Sequence, residues 1–262
     1  MDLKLATEKY SPEISIHYDH EKLPPCDLAQ EIINFIWFNS KSTINVDFEL
    51  IQETKAKVYK FNFENETYYL KSYSSRKISK VLKNLFRQAE ALRFFQTELK
   101  LIHANIPVAP PVLAITKKIN FFLVDSIFVT CEVPGVDLHT FLNNNKDNID
   151  LRTKIIKQMA YIWSNLVNHH FLHLDPWLGN FIVSAEKESI RIKLIDIDSV
   201  YAMPLIPKTI LIVKNLERLH RKLWGVGSNN ERNLFVNEFS KQCSAFHTFF
   251  WRNLFAHWPG SK

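Results

Sequence analysis

Two short stretches hold the side chains best suited to chemistry. His173 to Asn180 reads His-Leu-Asp-Pro-Trp-Leu-Gly-Asn, and Leu194 to Asp198 reads Leu-Ile-Asp-Ile-Asp. The spacing H-x-D-x-x-x-x-N suits phosphoryl transfer: Asp175 stands where a substrate hydroxyl would approach, and Asn180 offers a carboxamide oxygen to a metal ion. Asp196 supplies the second metal oxygen. It ends an alternating run, Ile190 to Ile195, that reads as a strand, so a single hairpin separates Asn180 from Asp196. Hard oxygen donors of this kind fit Mg²⁺ on phosphates better than they fit zinc. His173 is expected to brace the loop and take no part in the chemistry.

The elements that must hold these residues follow from periodicity. Residues 1–45, interrupted by Pro12, Pro24 and Pro25, read as an N-terminal extension with one short helix begun by Asp27. Alternating β-formers over 47–53, 57–63 and 67–73 predict an antiparallel meander with its second turn at Glu64-Asn65-Glu66. Lys71 lies on the third of these strands. A long amphipathic helix is expected over 77–104, with Leu85, Leu92, Phe95, Leu99 and Ile102 as its inward stripe. Gln88 falls on that stripe, and Glu90, about 200° round the helix, is the fallback position. Short strands over 112–115, 121–124 and 127–133 then lead through Pro134-Gly135 into a short helix. A helix over 151–168 precedes the His173 loop. Beyond Asp198, a basic helix over 209–224 and aromatic-rich helices over 231–258 are expected to pack as core.

Composition bounds the rest. The 262 residues, 46% hydrophobic and with 20 Phe, are enough for one large domain or two packed lobes. Cys26, Cys131 and Cys243 are far apart and form no C-x-x-C, which points to reduced thiols and a cytoplasmic setting. Met1 to Lys4 does not open an apolar leader, and no apolar run approaches the roughly 20 residues of a membrane helix. A net charge of +6, with a pI near 9.1, favours an anionic partner. The five glycines form no G-x-x-x-x-G-K-[ST], which excludes a P-loop enzyme.

In this order, the motifs resemble the lipopolysaccharide kinase (Kdo/WaaP) family, which has a protein-kinase-like fold. The likeness is carried by Tyr68 to Lys71, Ile106 to Pro110, Val129 to Gly135, His173 to Asn180, Leu194 to Asp198 and Lys214 to Leu219, within about residues 48 to 225. It implies an α+β, bilobal fold: an extension over 1–45, a small β-rich N-lobe over 46–133 with a five-stranded antiparallel sheet and one long helix, and a mostly helical C-lobe over 134–262. The activity it implies is transfer of the ATP γ-phosphate to a Kdo or heptose hydroxyl of the lipopolysaccharide inner core. That would take place at the cytoplasmic, inner face of the inner membrane, with peripheral contact to anionic lipid and no nucleic acid partner. The implied roles are Asp175 as base, Asn180 and Asp196 as Mg²⁺ ligands, Lys71 on the α and β phosphates, Gln88 at the helix position that meets that lysine, and the main chain of Glu132 and Val133 against adenine.

The sequence departs from the family pattern in having no glycine-rich stretch before Lys71, Gln88 at the usual helix-glutamate position, and Ser199 after Asp198. Two readings compete with the kinase. One is a nucleotide-binding pseudokinase or a kinase of another small acceptor. The other is a metal-dependent hydrolase built on His169, His170, His173 and Asp175, with His169 and His173 on one helix face.

Overall fold

Seven antiparallel strands make the first part of the protein, in a computed structural model that describes residues 5–22, 25–38, 46–74, 88–119, 124–186, 189–223 and 227–245. They are β1 (Leu5–Lys9), β2 (Ile14–Asp19), β3 (Phe48–Glu53), β4 (Lys57–Phe63), β5 (Glu66–Tyr73), β6 (Pro111–Lys118) and β7 (Val124–Cys131), in the spatial order β1-β2-β6-β7-β5-β4-β3. The meander stands where alternation places it. Its β4–β5 turn is held by Glu64 and Asn65 at φ 48° and 65°, the left-handed pair that a two-residue hairpin requires.

Two expectations need correcting here. The sheet has seven strands where five were expected, because β2 pairs with β6 in the register Ile16 to Ile115 and β1 pairs with β2. The segments 5–19 and 26–33 of the expected extension are therefore part of the sheet's architecture. Helix α1 (Cys26–Ile33) lays Leu28, Ile32 and Ile33 on one sheet face, against Ile16, Phe61, Leu70, Leu113 and Val129. Each of those three side chains contributes roughly 1.5–3 kcal/mol by burial. Secondly, the segments expected over 112–115 and 127–133 belong to two longer strands, β6 and β7, paired antiparallel with each other; residues 121–123 of the remaining segment lie outside the described set.

Helix α2 (Glu90–His103) takes the opposite face, where Phe95 meets Phe128 at 6.4 Å and Phe94 meets Tyr73 at 5.5 Å. Its buried stripe is Ala91, Phe94, Phe95, Glu98, Leu99 and Leu101, while Leu92 is half-buried and Ile102 exposed. The predicted stripe holds at Phe95 and Leu99 but misses Glu98, polar by type, which sits in the buried row at 0% exposure. Residues 77–87 of the expected helix lie outside the described set.

The chain divides into two units, Met1–Lys100 with Ala109–Glu132, and Leu101–Val108 with Val133–Lys262. In the second, β8 (Val136–Asp137) leads to α3 (Leu138–Asn144), capped by the Asp137 carboxylate on the Thr140 amide at 2.9 Å. Helix α4 (Ile149–Asn168) follows and buries Ile155, Met159, Ile162, Trp163 and Leu166. Next come β9 (Phe171–His173), the hairpin β10 (Phe181–Glu186) and β11 (Ser189–Leu194), β12 (Val200–Ala202), α5 (Lys208–Leu223) and α6 (Asn229–Gln242). Helix α6 opens with a capping box between Ser228 and Glu231. The expected aromatic positions beyond residue 245 lie outside the described set. Among the described residues, no helix is long and apolar enough to cross a membrane.

Candidate active site

The loop from His173 to Asn180 has a fixed inner side. His173 ends β9, is 1% exposed, and packs its ring beside Trp163 and Phe181, each at 6.1 Å. Its backbone N–H donates to Asn215 Oδ1 at 2.9 Å, and Asn215 Nδ2 donates to the Phe171 carbonyl at 2.9 Å. Asn215 sits on α5 and is itself fully buried. The Ser199 hydroxyl lies 3.1 Å from His173 Nδ1, and Leu174 N–H donates to the Ser199 carbonyl at 2.8 Å. Burial pushes the His173 imidazole down to about 4, against the opposing pull of Asp175 and Asp196, so the ring is neutral at ordinary pH. Bracing, the role expected of His173, agrees with this environment.

The outer side of the loop faces water. Pro176 disfavours helical backbone at Asp175, and the Trp177 and Asn180 amides donate back to the carbonyls of Asp175 and Trp177 at 2.8 and 3.0 Å. Asp175 is exposed, which leaves its carboxylate open to an approaching hydroxyl, and its Oδ1 lies 3.4 Å from Lys222 Nζ. Trp177 is 49% exposed and lies against Gly179, where a Cβ would come 2.5 Å from the indole Nε1. Only glycine leaves the ring that place. Its indole stacks at 6.2 Å on His139, which lines a cleft of about 610 Å³ of mixed character with Asn143, Lys146, Ile149, Thr153 and Leu234.

The expected metal ligands are brought together by backbone pairing. Phe181 is in register with Leu194, and Ile195 N–H donates to the Asn180 carbonyl at 2.9 Å, so Asn180 and Asp196 flank the open end of the β10–β11 hairpin. Gln158 of α4 holds that hairpin by accepting from Ile192 N–H at 3.0 Å and donating to the Ile190 carbonyl. Asp196 Oδ1 also accepts from the Asp198 amide at 3.3 Å. Among the described residues, no three His, Cys, Asp or Glu side chains gather as a metal cage. One carboxamide and one carboxylate oxygen fit magnesium, which keeps water and phosphate in most of its coordination positions.

The hydrolase geometry is not formed. Helix α4 ends at Asn168 with His169 as its cap, His170 turns the chain at φ 59°, and His173 is on β9, so the histidines share no helix face.

In the sheet unit, Lys71 is in register with Phe128, which places it on the sheet face that α2 covers. Gln88 precedes the first helical residue of α2 and is exposed, so it does not lie on an inward helical stripe; the helix begins at Glu90, which is half-buried. The Glu132 carboxylate accepts from Lys60 at 2.8 Å and its amide donates to the Thr67 carbonyl at 2.8 Å, so that donor is engaged within the sheet. Val133, buried, opens the second unit, and the turn after it passes over β10 at Gly135, φ 146°, where a Cβ would meet the Val183 carbonyl oxygen at 2.4 Å.

Residues 49–243 match the lipopolysaccharide kinase (Kdo/WaaP) family. The chain belongs to that family. It is therefore a phosphotransferase with an alcohol group as acceptor. No curated protein matches the chain. Among solved structures, WaaP in complex with acyl carrier protein superposes with a TM-score of 0.60 at 16% identity, covering 80% of this chain and 87% of that one. That likeness establishes an α+β, protein-kinase-like fold for this lipopolysaccharide kinase family member.

Three residues beside the loop come from a helix that sequence reasoning read as basic, and whose Lys214 to Leu219 carried the family likeness without being given a role at the site. Asn215, Arg218 and Lys222 of α5 all reach the loop, Arg218 by donating to the Leu174 carbonyl at 2.6 Å. Their spacing of three and four residues puts them on one face of the helix, which is the signal that was available.

Proposed function

We propose that this family member transfers the γ-phosphoryl group of ATP, with Mg²⁺, to a Kdo or heptose hydroxyl of the lipopolysaccharide inner core. The observation that carries the reading is an exposed Asp175 on a loop whose inner side is locked, followed by Asn180, whose carbonyl is bonded to the Ile195 amide next to Asp196. Asp175 orients the acceptor hydroxyl and takes its proton. Asn180 and Asp196 hold Mg²⁺, which when bound offsets phosphate charge. Lys71 supplies a point charge to the α and β phosphates. The cleft beside Trp177 has the size and the hydrogen-bonding groups a sugar needs. The +6 charge supports work at the cytoplasmic face of an anionic inner membrane.

The test is phosphoryl transfer from labelled ATP to purified inner-core acceptors, with mass spectrometry of the product. Asp175→Asn should lower transfer by roughly two to four orders of magnitude while ATP affinity stays within a few-fold. Asp196→Ala should abolish the Mg²⁺-dependent part of the thermal stabilisation by ATP. Equal transfer by parent and Asp175→Asn would remove Asp175 from the role of base. Transfer to a non-sugar alcohol in preference to every inner-core sugar would overturn the assigned acceptor.

A further inference from the structure

The loop His173 to Asn180 contains no Lys or Arg, although the reaction brings a highly charged phosphoryl group to its aspartate. In the transfer, the acceptor oxygen forms a bond to the γ-phosphorus and its proton passes to Asp175. The bond from phosphorus to the bridging oxygen breaks, with the electron pair leaving on ADP. The equatorial oxygens of the transferring group keep their negative charge while they pass close to a carboxylate. Electrostatic stabilisation carries most of such a reaction, so a positive group is needed on the carboxylate side as well as on the metal side.

Helix α5 brings one there. Asn215 and Arg218 bond to the backbone of β9 and of the loop, whereas Lys222, one turn beyond Arg218 on the same face, reaches past the backbone to Asp175 Oδ1 at 3.4 Å. Its ammonium also lies 5.4 Å from the centre of the Trp177 ring, and that ring is seated on Gly179. A lysine stem is flexible. An aromatic face and an aspartate together restrict where its charge can stand. The pair is open to water, with side-chain exposures of 38% and 62%, and exposed ion pairs contribute little to folding. Stability therefore gives no account of the arrangement.

We propose that Lys222 is a catalytic residue of this phosphotransferase, its ammonium touching the transferring phosphoryl group from the Asp175 side, with Trp177 as the positioning residue that holds it there. The proposal rests on the kinase reading above. It adds a cation from α5 to a loop that has none of its own.

The experiment uses the full chain and its Lys222→Met, Lys222→Arg and Trp177→Leu variants. Two quantities are read: kcat and KM for ATP and for an inner-core acceptor, and the affinity for MgADP with and without aluminium fluoride, a mimic of the group in flight. Lys222→Met should lower kcat about 10²–10³-fold, the loss typical of one charge-stabilising donor, with KM for ATP within a few-fold. It should also lose the extra affinity that aluminium fluoride gives. Lys222→Arg should restore part of both, and Trp177→Leu should cost less than Lys222→Met and add nothing on top of it. A kcat within about threefold of the parent in Lys222→Met, or an equal loss of affinity for MgADP with and without aluminium fluoride, would overturn the assignment while leaving the kinase reading intact. Absence of both transfer and aluminium fluoride-dependent binding in the parent would overturn the kinase reading, and this proposal with it.

Discussion

The two sides of the loop His173 to Asn180 differ sharply in exposure. His173 and Asp175 are two residues apart, yet the first is 1% exposed among Trp163, Phe181, Ser199 and Asn215, and the second is open to water with Lys222 beside it. The difference teaches that the loop separates its tasks by depth. Buried contacts fix its shape, and exposed groups remain available to a substrate because the shape does not depend on them.

That division is easiest to break from the inside. Asn215→Leu leaves the His173 amide and the Phe171 carbonyl buried without partners, at about 1–3 kcal/mol each, so urea unfolding should show a loss of roughly 2–6 kcal/mol. A loss under about 1 kcal/mol would mean that the inner side is not held from α5.

Acid should reach the same place. The His173 pKa is lowered from 6.5 to about 4, so its neutral form is favoured by the fold, and the associated stability is present above pH 6.5 and lost as pH falls towards 4. The slope is at most about 1.4 kcal/mol per pH unit. His173→Phe keeps an aromatic ring and removes the titration, so stability curves of parent and variant over this window should converge as pH falls. Parallel curves would show that the imidazole is not the group responsible.

Arg218→Met removes one partly buried bond to the Leu174 carbonyl and should cost about 1 kcal/mol. The smallest effect belongs to the outer side: Asp175→Asn should unfold within about 0.5 kcal/mol of the parent even though transfer collapses. A large loss of stability there would abolish the distinction between the two sides.

Legibility in the sequence followed the range of the interactions. The meander β3–β5, helix α4 and the hairpin β10–β11 between Asn180 and Asp196 are local, and period-two or period-3.6 patterns report them within a residue or two. The joining of β2 to β6 escaped because its partners are about a hundred residues apart and β2, buried at Ile14, Ile16, His17 and Tyr18, shows no clean alternation. The expected stripe of α2 held at Phe95 and Leu99 but missed Glu98, a charged type in the buried row, and Gln88 was placed on the helix because the helix was expected to begin at residue 77, whereas Gln88 precedes its first turn at Glu90. Lys222 escaped for a different reason. Its spacing from Asn215 and Arg218 marks one face of α5, but the loop that this face meets lies more than forty residues earlier in the chain.

The placement of β2 also decides which backbone edge the sheet leaves open at that end. A strand at the end of a sheet offers its unpaired amides and carbonyls to any other chain that presents an edge. Strand β6 is rich in buried aliphatic side chains, among them Leu113 and Ile115, and β2 covers its outer edge. A truncation that begins at residue 23 would therefore bare an apolar edge, and the shortened protein should self-associate through β6.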